Sequence, residues 1–339
     1  MTDQLRAKIA PFAVHGGRID LARALFGGAD WLDLSTGISP WAYPIDLPRE
    51  ALTRLPSPDD VALLETRAAE CFGSDPAATM AVPGSDLGLR LIGQMLNAQH
   101  PAAVAPGYSG HTAMWPQACL AMPADPDALL KAAATYDALV LARPSNPGGE
   151  IIAEHILHSI AERLAARRGW LIVDEAFADA DPDLSLAARG WPNLIILRSF
   201  GKFAGLAGLR LGFVIAPPAM TARLRCLLGD WPISGPAVAA GISFYGNTSW
   251  QSSQRRRLAE SGERLDRVLY AAGLAITAST PFFRTCEIPH GWALFEHLAK
   301  HAILSRPFAD DPARLRIGLP EDAITTRNLA RALAKWSHS

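Results

Sequence analysis

The chain has 339 residues, of which 49% are hydrophobic and 19% are charged, a balance that excludes a disordered or fibrous protein. Lys and Arg number 32 and Asp and Glu 33, so the net charge of −1 provides no positive excess for non-specific nucleic-acid binding. No apolar stretch reaches about 18 residues, the length that would span a membrane.

Short apolar runs alternate with helical patterns through the first two thirds of the chain. Strands this apolar, separated by helix-length segments, are typical of a sheet covered by helices on both faces. The sequence therefore predicts a large α/β domain over residues 41–230. Its predicted strands are Thr79–Val82, Ala102–Ala105, Ala138–Ala142, Trp170–Val173, Leu194–Leu197 and Leu211–Ile215, and its predicted helices are Asp86–Asn97 and Glu150–Arg168.

The pattern changes after residue 231. A long, highly charged helical pattern is followed by shorter elements, which indicates a smaller α+β domain over residues 231–339. Residues 1–40 carry few regular signals and are expected to form an arm that joins this small domain. The predicted elements are the helices Gln251–Ala272, Trp292–Ile303 and Asp322–Trp336 and the strands Ala275–Thr277, Phe282–Ile288 and Leu315–Leu319.

The segment SFGKFAGLAGLR, residues 199–210, is the most informative in the sequence. It follows a predicted strand, so Lys202 is expected at the carboxyl end of the sheet, where open α/β sheets bind ligands. Three glycines let the backbone approach a ligand, and Ser199 and Arg210 could hold an anion from two sides. A lone lysine in a loop is more often simply solvated, and for Lys202 alone that interpretation stays open. The chain has neither the GxGxxG fingerprint of dinucleotide sites nor a GxxxxGK[ST] phosphate loop.

Two upstream polar residues also follow predicted strands. Asp174 closes the apolar run LIVD, and its carboxylate could cap a helix or pair with a cationic ring nitrogen. Asn146 lies in RPSNPGG, a composition that ordinarily predicts a turn. Its side-chain amide could also donate a hydrogen bond to a phenolate oxygen. Asn146, Asp174 and Lys202 follow one another along the chain at intervals of 28 residues. Together they supply a hydrogen-bond donor, a partner for a ring nitrogen and an amine that can form an imine.

These motifs together resemble those of a known family. The combination of SNPGG, VDEAF and SFGK…GLRLG is similar to pyridoxal-phosphate enzymes with the aspartate-aminotransferase fold. Within that family it is most similar to the branch of histidinol-phosphate aminotransferases and threonine-phosphate decarboxylases, and the resemblance covers nearly the whole chain. It implies pyridoxal 5'-phosphate as cofactor. It also implies the type I fold of pyridoxal-phosphate transferases, α/β with a mostly parallel central sheet in the large domain and a smaller α+β carboxyl-terminal domain.

The resemblance gives the central residues their roles. Lys202 would form the Schiff base with the cofactor and later move protons at the substrate α-carbon. Asp174 would keep the ring nitrogen protonated, and Asn146 would donate to the phenolate oxygen. Tyr108 would stack on the ring, although by itself it is equally well a core aromatic. One departure is Phe177, because aminotransferases of this branch commonly carry Tyr there.

The cofactor phosphate has its own predicted residues. Gly84, Ser85 and Asp86 lead into a predicted helix, whose first backbone N–H groups can hold an anion. Ser199 and Arg210 would complete this phosphate site.

The amino-terminal segment bears on the reaction. HGG at 15–17 and LSTGISP at 34–40 resemble the start of threonine-phosphate decarboxylases of cobalamin biosynthesis. This resemblance places His15, Gly37 and Ile38 near the substrate, although His15 by itself is more often an exposed histidine. It implies that O-phospho-L-threonine is decarboxylated to (R)-1-amino-2-propanol phosphate.

A substrate with a carboxylate and a phosphate needs two anion sites, and arginine suits both groups. Arg316 lies in LRIGL, which resembles the segment that carries the carboxylate-binding arginine in relatives. Arg284 and Arg306 lie at the ends of predicted elements, and Asn146 is also expected in the substrate site. Each arginine alone is ordinarily solvated or salt-bridged, and which one would bind which anion stays open.

Two other functions stay open. A histidinol-phosphate-type aminotransferase would use the same Lys202, Asp174 and Asn146. A non-catalytic sensor that kept the fold would ordinarily carry a DNA-binding domain, for which little length remains. The resemblance implies a homodimer with a small-molecule substrate and neither a membrane nor a nucleic-acid partner. No signal-peptide core precedes residue 11 and the four cysteines form no CxxC pair, so we expect a cytoplasmic protein with reduced thiols and no metal site.

Overall fold

The computed structural model describes residues 3–115 and 120–336. Within them, no helix is long and apolar enough to cross a membrane. The strands in chain order are β1 (Leu32–Asp33), β2 (Thr79–Val82), β3 (Pro101–Val104), β4 (Leu120–Met122), β5 (Ala138–Ala142), β6 (Trp170–Asp174), β7 (Leu194–Ser199), β8 (Gly212–Ile215), β9 (Ala275–Thr280), β10 (Phe283–Glu287), β11 (Ile303–Leu304), β12 (Arg306–Pro307) and β13 (Arg314–Gly318).

The α-helices connect and cover these strands. In chain order they are α1 (Asp3–Ile9), α2 (Ile19–Phe26), α3 (Arg49–Thr53), α4 (Pro58–Phe72), α5 (Ser85–Leu96), α6 (Ser109–Ala113), α7 (Pro126–Ala132), α8 (Glu154–Ala165), α9 (Phe200–Phe203), α10 (Pro218–Leu228), α11 (Gly235–Tyr245), α12 (Thr248–Ala271), α13 (Gly291–Lys300) and α14 (Ala323–Ala334).

The larger of two compact units, Ala42–Gln254, holds a seven-stranded sheet in the order β2-β8-β7-β6-β5-β3-β4. Neighbouring strands from β7 to β4 pair in parallel, whereas β8 pairs antiparallel with both β7 and β2. Strands β2, β3, β5 and β8 are buried along almost their whole length, as a sheet covered on both faces requires. The predicted α/β class and mostly parallel sheet are confirmed.

The smaller unit combines Met1–Trp41 with Arg255–Ser339. Its main sheet is antiparallel, in the order β12-β13-β10-β9, and β1 pairs in parallel with β11. The amino-terminal segment therefore adds a strand to the small unit. It is also more regular than predicted, because α1 and α2 form there. The α2 helix is eight residues long and buries Ala22 on its inner face.

The unit boundary differs from the predicted domain boundary. The large unit continues to Gln254 instead of ending at residue 230. The physical reason is α11, whose buried face packs against α3 and α4 of the large unit. The α12 helix carries the chain from the large unit into the small one.

Candidate active site

A cavity of about 170 Å³ opens in the large unit at the carboxyl ends of the parallel strands. It lies where β2, β3, β5, β6 and β7 end and where the antiparallel β8 begins. The chain thus delivers one polar segment after each strand to the same edge of the sheet. The structure brings all nine residues of the predicted cofactor site to its lining: Gly84, Ser85, Asp86, Tyr108, Asn146, Asp174, Ser199, Lys202 and Arg210.

The start of α5 and Arg210 form one wall of this cavity. Gly84 precedes α5 with a φ of 85°, a conformation that favours glycine. A Cβ at Gly84 would lie 2.7 Å from Nη2 of Arg210, and one at Gly212 would lie 2.5 Å from the Ser85 nitrogen. The missing side chains therefore let the guanidinium approach the first turn of the helix, whose N–H groups have no acceptors within the helix. This combination of backbone dipoles and a cation suits a phosphate.

The Asp174 carboxylate is held by two donors at the end of β6. Its Oδ1 accepts from the Ala176 backbone N–H at 3.1 Å, and its Oδ2 lies 3.0 Å from Nε2 of His111. Only 12% of the Asp174 side chain is exposed, and the cavity is where that exposed part lies. The carboxylate is thus oriented and accessible, as a partner for a cationic ring nitrogen must be.

His111 is a residue of this site that the sequence analysis missed. Its side chain is 1% exposed, and among the described residues its Nδ1 has no hydrogen-bond partner. A buried, unpartnered Nδ1 is best left unprotonated, so Nε2 carries the proton that is donated to Asp174. The signal in the sequence was weak, because His111 lies two residues into the short helix α6 and matches no motif.

Tyr108 and Asp86 form a second hydrogen-bonded pair in the cavity wall. The Tyr108 hydroxyl donates to Oδ1 of Asp86 at 2.8 Å, and Nε of Arg90 donates to Oδ2 at 3.0 Å. Burial and then the Asp86 contact raise the pKa of Tyr108 well above its usual value, so the phenol stays neutral. Burial alone would raise the pKa of Asp86, but the Arg90 and Tyr108 hydrogen bonds outweigh it and lower that pKa. Asp86 therefore stays ionised and fixes the Tyr108 ring.

Lys202 reaches the cavity from α9, the one-turn helix that follows β7. The helix lies very close to the turn at 207–209, since a Cβ at Gly201 would be 2.5 Å from the Ala207 Cα. Gly201 is thus needed beside the lysine for a steric reason. Asn146 lies in a loop closed by the Ser145 N–H to the Glu150 carbonyl at 2.9 Å and the Gly149 N–H to the Ser145 carbonyl at 3.1 Å.

The other predicted substrate residues belong to the small unit. Arg306 donates to the carbonyls of Phe12 and Val14 at 2.5 and 2.7 Å, and Arg316 donates to the Ser35 carbonyl at 2.7 Å. Burial lowers the pKa of Arg306 to about 10. Burial and then the nearby Arg306 lower that of Arg316 to about 9. Two cations that are close and buried in this way favour an anionic ligand.

Arg284 has a different environment from these two. Its Nε and Nη2 donate to the Asp266 carboxylate at 2.5 and 3.0 Å, and its Nη1 donates to the Thr280 carbonyl at 2.6 Å. All three nitrogens are engaged, so the geometry does not favour the predicted substrate contact of Arg284.

The predicted arm residues lie next to the Arg316 partner in the small unit. Gly16 contacts the loop at 35–38 so closely that a Cβ would lie 2.5 Å from the Ser35 carbonyl oxygen. His15 beside it is exposed, whereas Gly37 is buried and Ile38 half-buried. The structure thus brings His15, Gly37 and Ile38 into one local region, and their roles stay predictions.

Comparison with known proteins gives matches over nearly the whole chain. Residues 50–335 match the family model of class I and II aminotransferases. A threonine-phosphate decarboxylase of a Sinorhizobium species is 39% identical over 95% of this chain and 98% of its own length. The threonine-phosphate decarboxylase of Pseudomonas aeruginosa is 37% identical over 94% of this chain and 96% of its own.

A solved structure supports the fold. The histidinol-phosphate aminotransferase of Sinorhizobium meliloti, solved in complex with pyridoxal-5'-phosphate, superposes with a TM-score of 0.81 at 22% identity. The match covers 93% of this chain and 92% of that one.

Proposed function

Because this chain belongs to the class I and II aminotransferase family, we propose that it is a pyridoxal-phosphate enzyme that decarboxylates O-phospho-L-threonine. The product would be (R)-1-amino-2-propanol phosphate, which serves cobalamin biosynthesis. The observation that carries the proposal is the nearly full-length similarity to two threonine-phosphate decarboxylases. The geometry of the large unit is the independent support.

The cavity lining fits pyridoxal phosphate. The first turn of α5 provides backbone N–H donors for the phosphate, and Arg210, whose guanidinium lies close to Gly84, provides a cation. Ser199 lines the same cavity and would add a hydroxyl. Across the ring, Asp174 would meet the nitrogen and Asn146 the phenolate oxygen, while Tyr108 would cover one face. Lys202 is the amine in the lining that can bind the aldehyde.

When bound, the cofactor accepts the electron pair that the departing carboxylate leaves at the α-carbon. The residues of the chain make this possible by holding protons in place. Asp174, itself oriented by His111, would hold a proton on the ring nitrogen. Asn146 would donate a hydrogen bond to the phenolate oxygen. After CO2 has left, Nζ of Lys202 would deliver a proton to the α-carbon, which becomes a CH2 group, and the configuration of the product would be that of the substrate β-carbon.

We propose that Arg306 and Arg316, with His15, Gly37 and Ile38, bind the carboxylate and the phosphate of the substrate. The support is electrostatic, because burial lowers the pKa of both guanidiniums and repulsion from Arg306 lowers that of Arg316 further. An anion would relieve that repulsion. Arg284 is left out, since Asp266 already neutralises it.

The function is tested with purified protein, pyridoxal phosphate and O-phospho-L-threonine. We expect CO2 release in a one-to-one ratio with aminopropanol phosphate and no requirement for a keto acid. O-phospho-L-serine serves as the control for substrate recognition. Absence of CO2 together with amine transfer from histidinol phosphate to 2-oxoglutarate would overturn the proposal in favour of an aminotransferase.

We also propose a cytoplasmic homodimer, as the family resemblance implies. Light scattering of the purified protein should give twice the mass of one chain, and a monomeric mass would contradict the proposal.

The His111→Phe substitution should weaken cofactor binding. It keeps an aromatic ring in a buried position but removes the N–H that lies 3.0 Å from Asp174. A hydrogen bond to a charged group contributes about 1.5–3 kcal/mol, so we expect a rise of about 10- to 100-fold in the dissociation constant of pyridoxal phosphate. Absorbance titration measures it. His158→Phe, on a half-exposed histidine of α8, is the control, and equal affinities of the two variants would refute the positioning of Asp174 by His111.

A further inference from the structure

Arg198 is a charged side chain buried inside the large unit, directly before the cavity-lining Ser199. Successive residues of a strand point to opposite faces of a sheet, so Arg198 on β7 points away from the cavity. Its side chain is 2% exposed. A cation in this position requires partners in the core.

Two carboxylates and a hydroxyl surround the Arg198 guanidinium. Its Nη1 donates to Oε2 of Glu175 at 3.1 Å and to Oγ of Ser185 at 3.0 Å, and its Nη2 donates to Asp179. The face of the guanidinium lies 4.3 Å from the ring centroid of Phe72. Charge, hydrogen bonds and packing therefore fix this side chain in one orientation.

Glu175 connects the guanidinium to a third segment of the chain. Its side chain is fully buried, with Oε1 accepting from the Leu186 backbone N–H at 2.7 Å. Its Oε2 accepts from the Ser185 hydroxyl at 2.7 Å as well as from Arg198. The resulting network ties the end of β6, the turn at Asp179 and the loop at 185–186 to β7.

This network lies next in sequence to two residues of the candidate active site. Glu175 directly follows Asp174, and its N–H donates to the Leu197 carbonyl at 2.9 Å. Arg198 directly precedes Ser199, the residue before the helix α9 that carries Lys202. The ion pair thus joins the residue that follows Asp174 to the residue that lies two positions before the helix of Lys202. A shift of either partner would change the distance between Asp174 and Lys202.

Stability alone does not account for such a network. Burying an arginine and two carboxylates costs several kcal/mol per ion in desolvation, and replacing buried ion pairs by apolar residues is often neutral or stabilising. What the network supplies is directional, since the planar guanidinium fork allows one arrangement of its acceptors. A positioning role explains why charges lie behind this particular part of the sheet.

We infer that Arg198 is a positioning residue that, through Glu175 and Asp179, sets the separation between the Asp174 carboxylate and the Lys202 amine. The inference rests on the proposed function in one respect, namely that pyridoxal phosphate occupies the space between those two groups. It concerns cofactor geometry and makes no use of the identity of the substrate.

The test compares Arg198→Lys with wild type as cofactor-loaded enzyme. Lysine keeps the positive charge but lacks the planar set of N–H donors that the guanidinium presents to Glu175 and Asp179. Since a displacement of about 1 Å can cost about 10²-fold in rate, we expect kcat for CO2 release to fall about 100-fold, with KM changed less than about threefold. The dissociation constant of pyridoxal phosphate should rise about tenfold. The control is Arg225→Lys, which alters an arginine paired with a mostly buried Glu65 that does not line the cavity, and both parameters should stay within about twofold.

A second variant separates positioning from folding. Arg198→Met with Glu175→Gln and Asp179→Asn removes all three charges and should fold, yet show the same losses of affinity and kcat. A folded variant of either kind with wild-type affinity and kcat would overturn the inference. Failure of both variants to fold would also overturn it, because the network would then be a requirement of folding. If wild type binds the cofactor without releasing CO2, the proposed function fails, while the affinity comparison still decides the role of Arg198.

Discussion

The Lys202→Ala variant should release no measurable CO2 from O-phospho-L-threonine. Lys202 lies on α9 in the lining of the cavity, where it would both bind the cofactor aldehyde and return a proton to the α-carbon. Loss of proton transfer alone costs up to about 10⁴-fold in rate, and loss of the covalent link adds to it. We expect a fall in kcat of at least about 10⁴-fold, measured by CO2 release at saturating cofactor.

The same variant should still bind pyridoxal phosphate, but more weakly and without a covalent bond. The first turn of α5 and Arg210, which would hold the phosphate, are untouched by the substitution. Borohydride followed by peptide mapping should label position 202 in wild type and no position in the variant. Lys131→Ala, on the exposed face of α7, is the control. A reduced adduct at another lysine, or activity above about one hundredth of wild type, would show that Lys202 does not have this role.

The strands of the large unit could be predicted because their signal is local. Each of the six predicted strands is present, and none of their bounds moves by more than two residues. An apolar run that ends in Asp, Ser or Pro-Gly predicts a buried strand by its own composition. The residues of the cavity follow from the same pattern, because parallel strands deliver their next residues to one edge of the sheet.

The sequence analysis did not predict several helices of the large unit, for a different reason in each case. The α4 helix has clear end signals: Ser57 accepts from the Asp60 N–H, Pro58 occupies the first turn, and Gly73 ends the helix with a φ of 69°. These end signals are sufficient to predict α4 from the sequence. The α11 helix is apolar nearly all round, so it shows no helical stripe, and its burial against α3 and α4 follows only from the tertiary fold.

The partners of the site residues could not be predicted from local sequence. His111 and Asp174 are 63 residues apart, and Tyr108 and Asp86 are 22 apart. No spacing rule joins them, because each pair forms only when two strand ends meet. The same holds for Arg284, which the sequence predicts as a substrate residue and which the fold pairs with Asp266.

The Asp174→Asn substitution tests the interaction with the cofactor ring nitrogen separately from the other contacts of the site. The amide has nearly the same shape as the carboxylate but no charge, so it cannot hold a proton on that nitrogen. A preorganised charge of this kind is worth about 10²- to 10³-fold in rate, and we expect kcat for CO2 release to fall by that factor. The covalent link to Lys202 should still form and be trapped by borohydride, because the substitution does not touch the amine.

Comparison of Lys202→Ala with Asp174→Asn tests whether these two residues have different roles in the cavity. Lys202→Ala should lose the borohydride adduct and the activity together, whereas Asp174→Asn should keep the adduct and lose the activity. Asp183→Asn, an exposed carboxyl beyond the same strand, is the matched control and should behave as wild type. If Asp174→Asn retains kcat within about threefold, the ring nitrogen needs no carboxylate. The His111 contact at 3.0 Å would then have only a structural role.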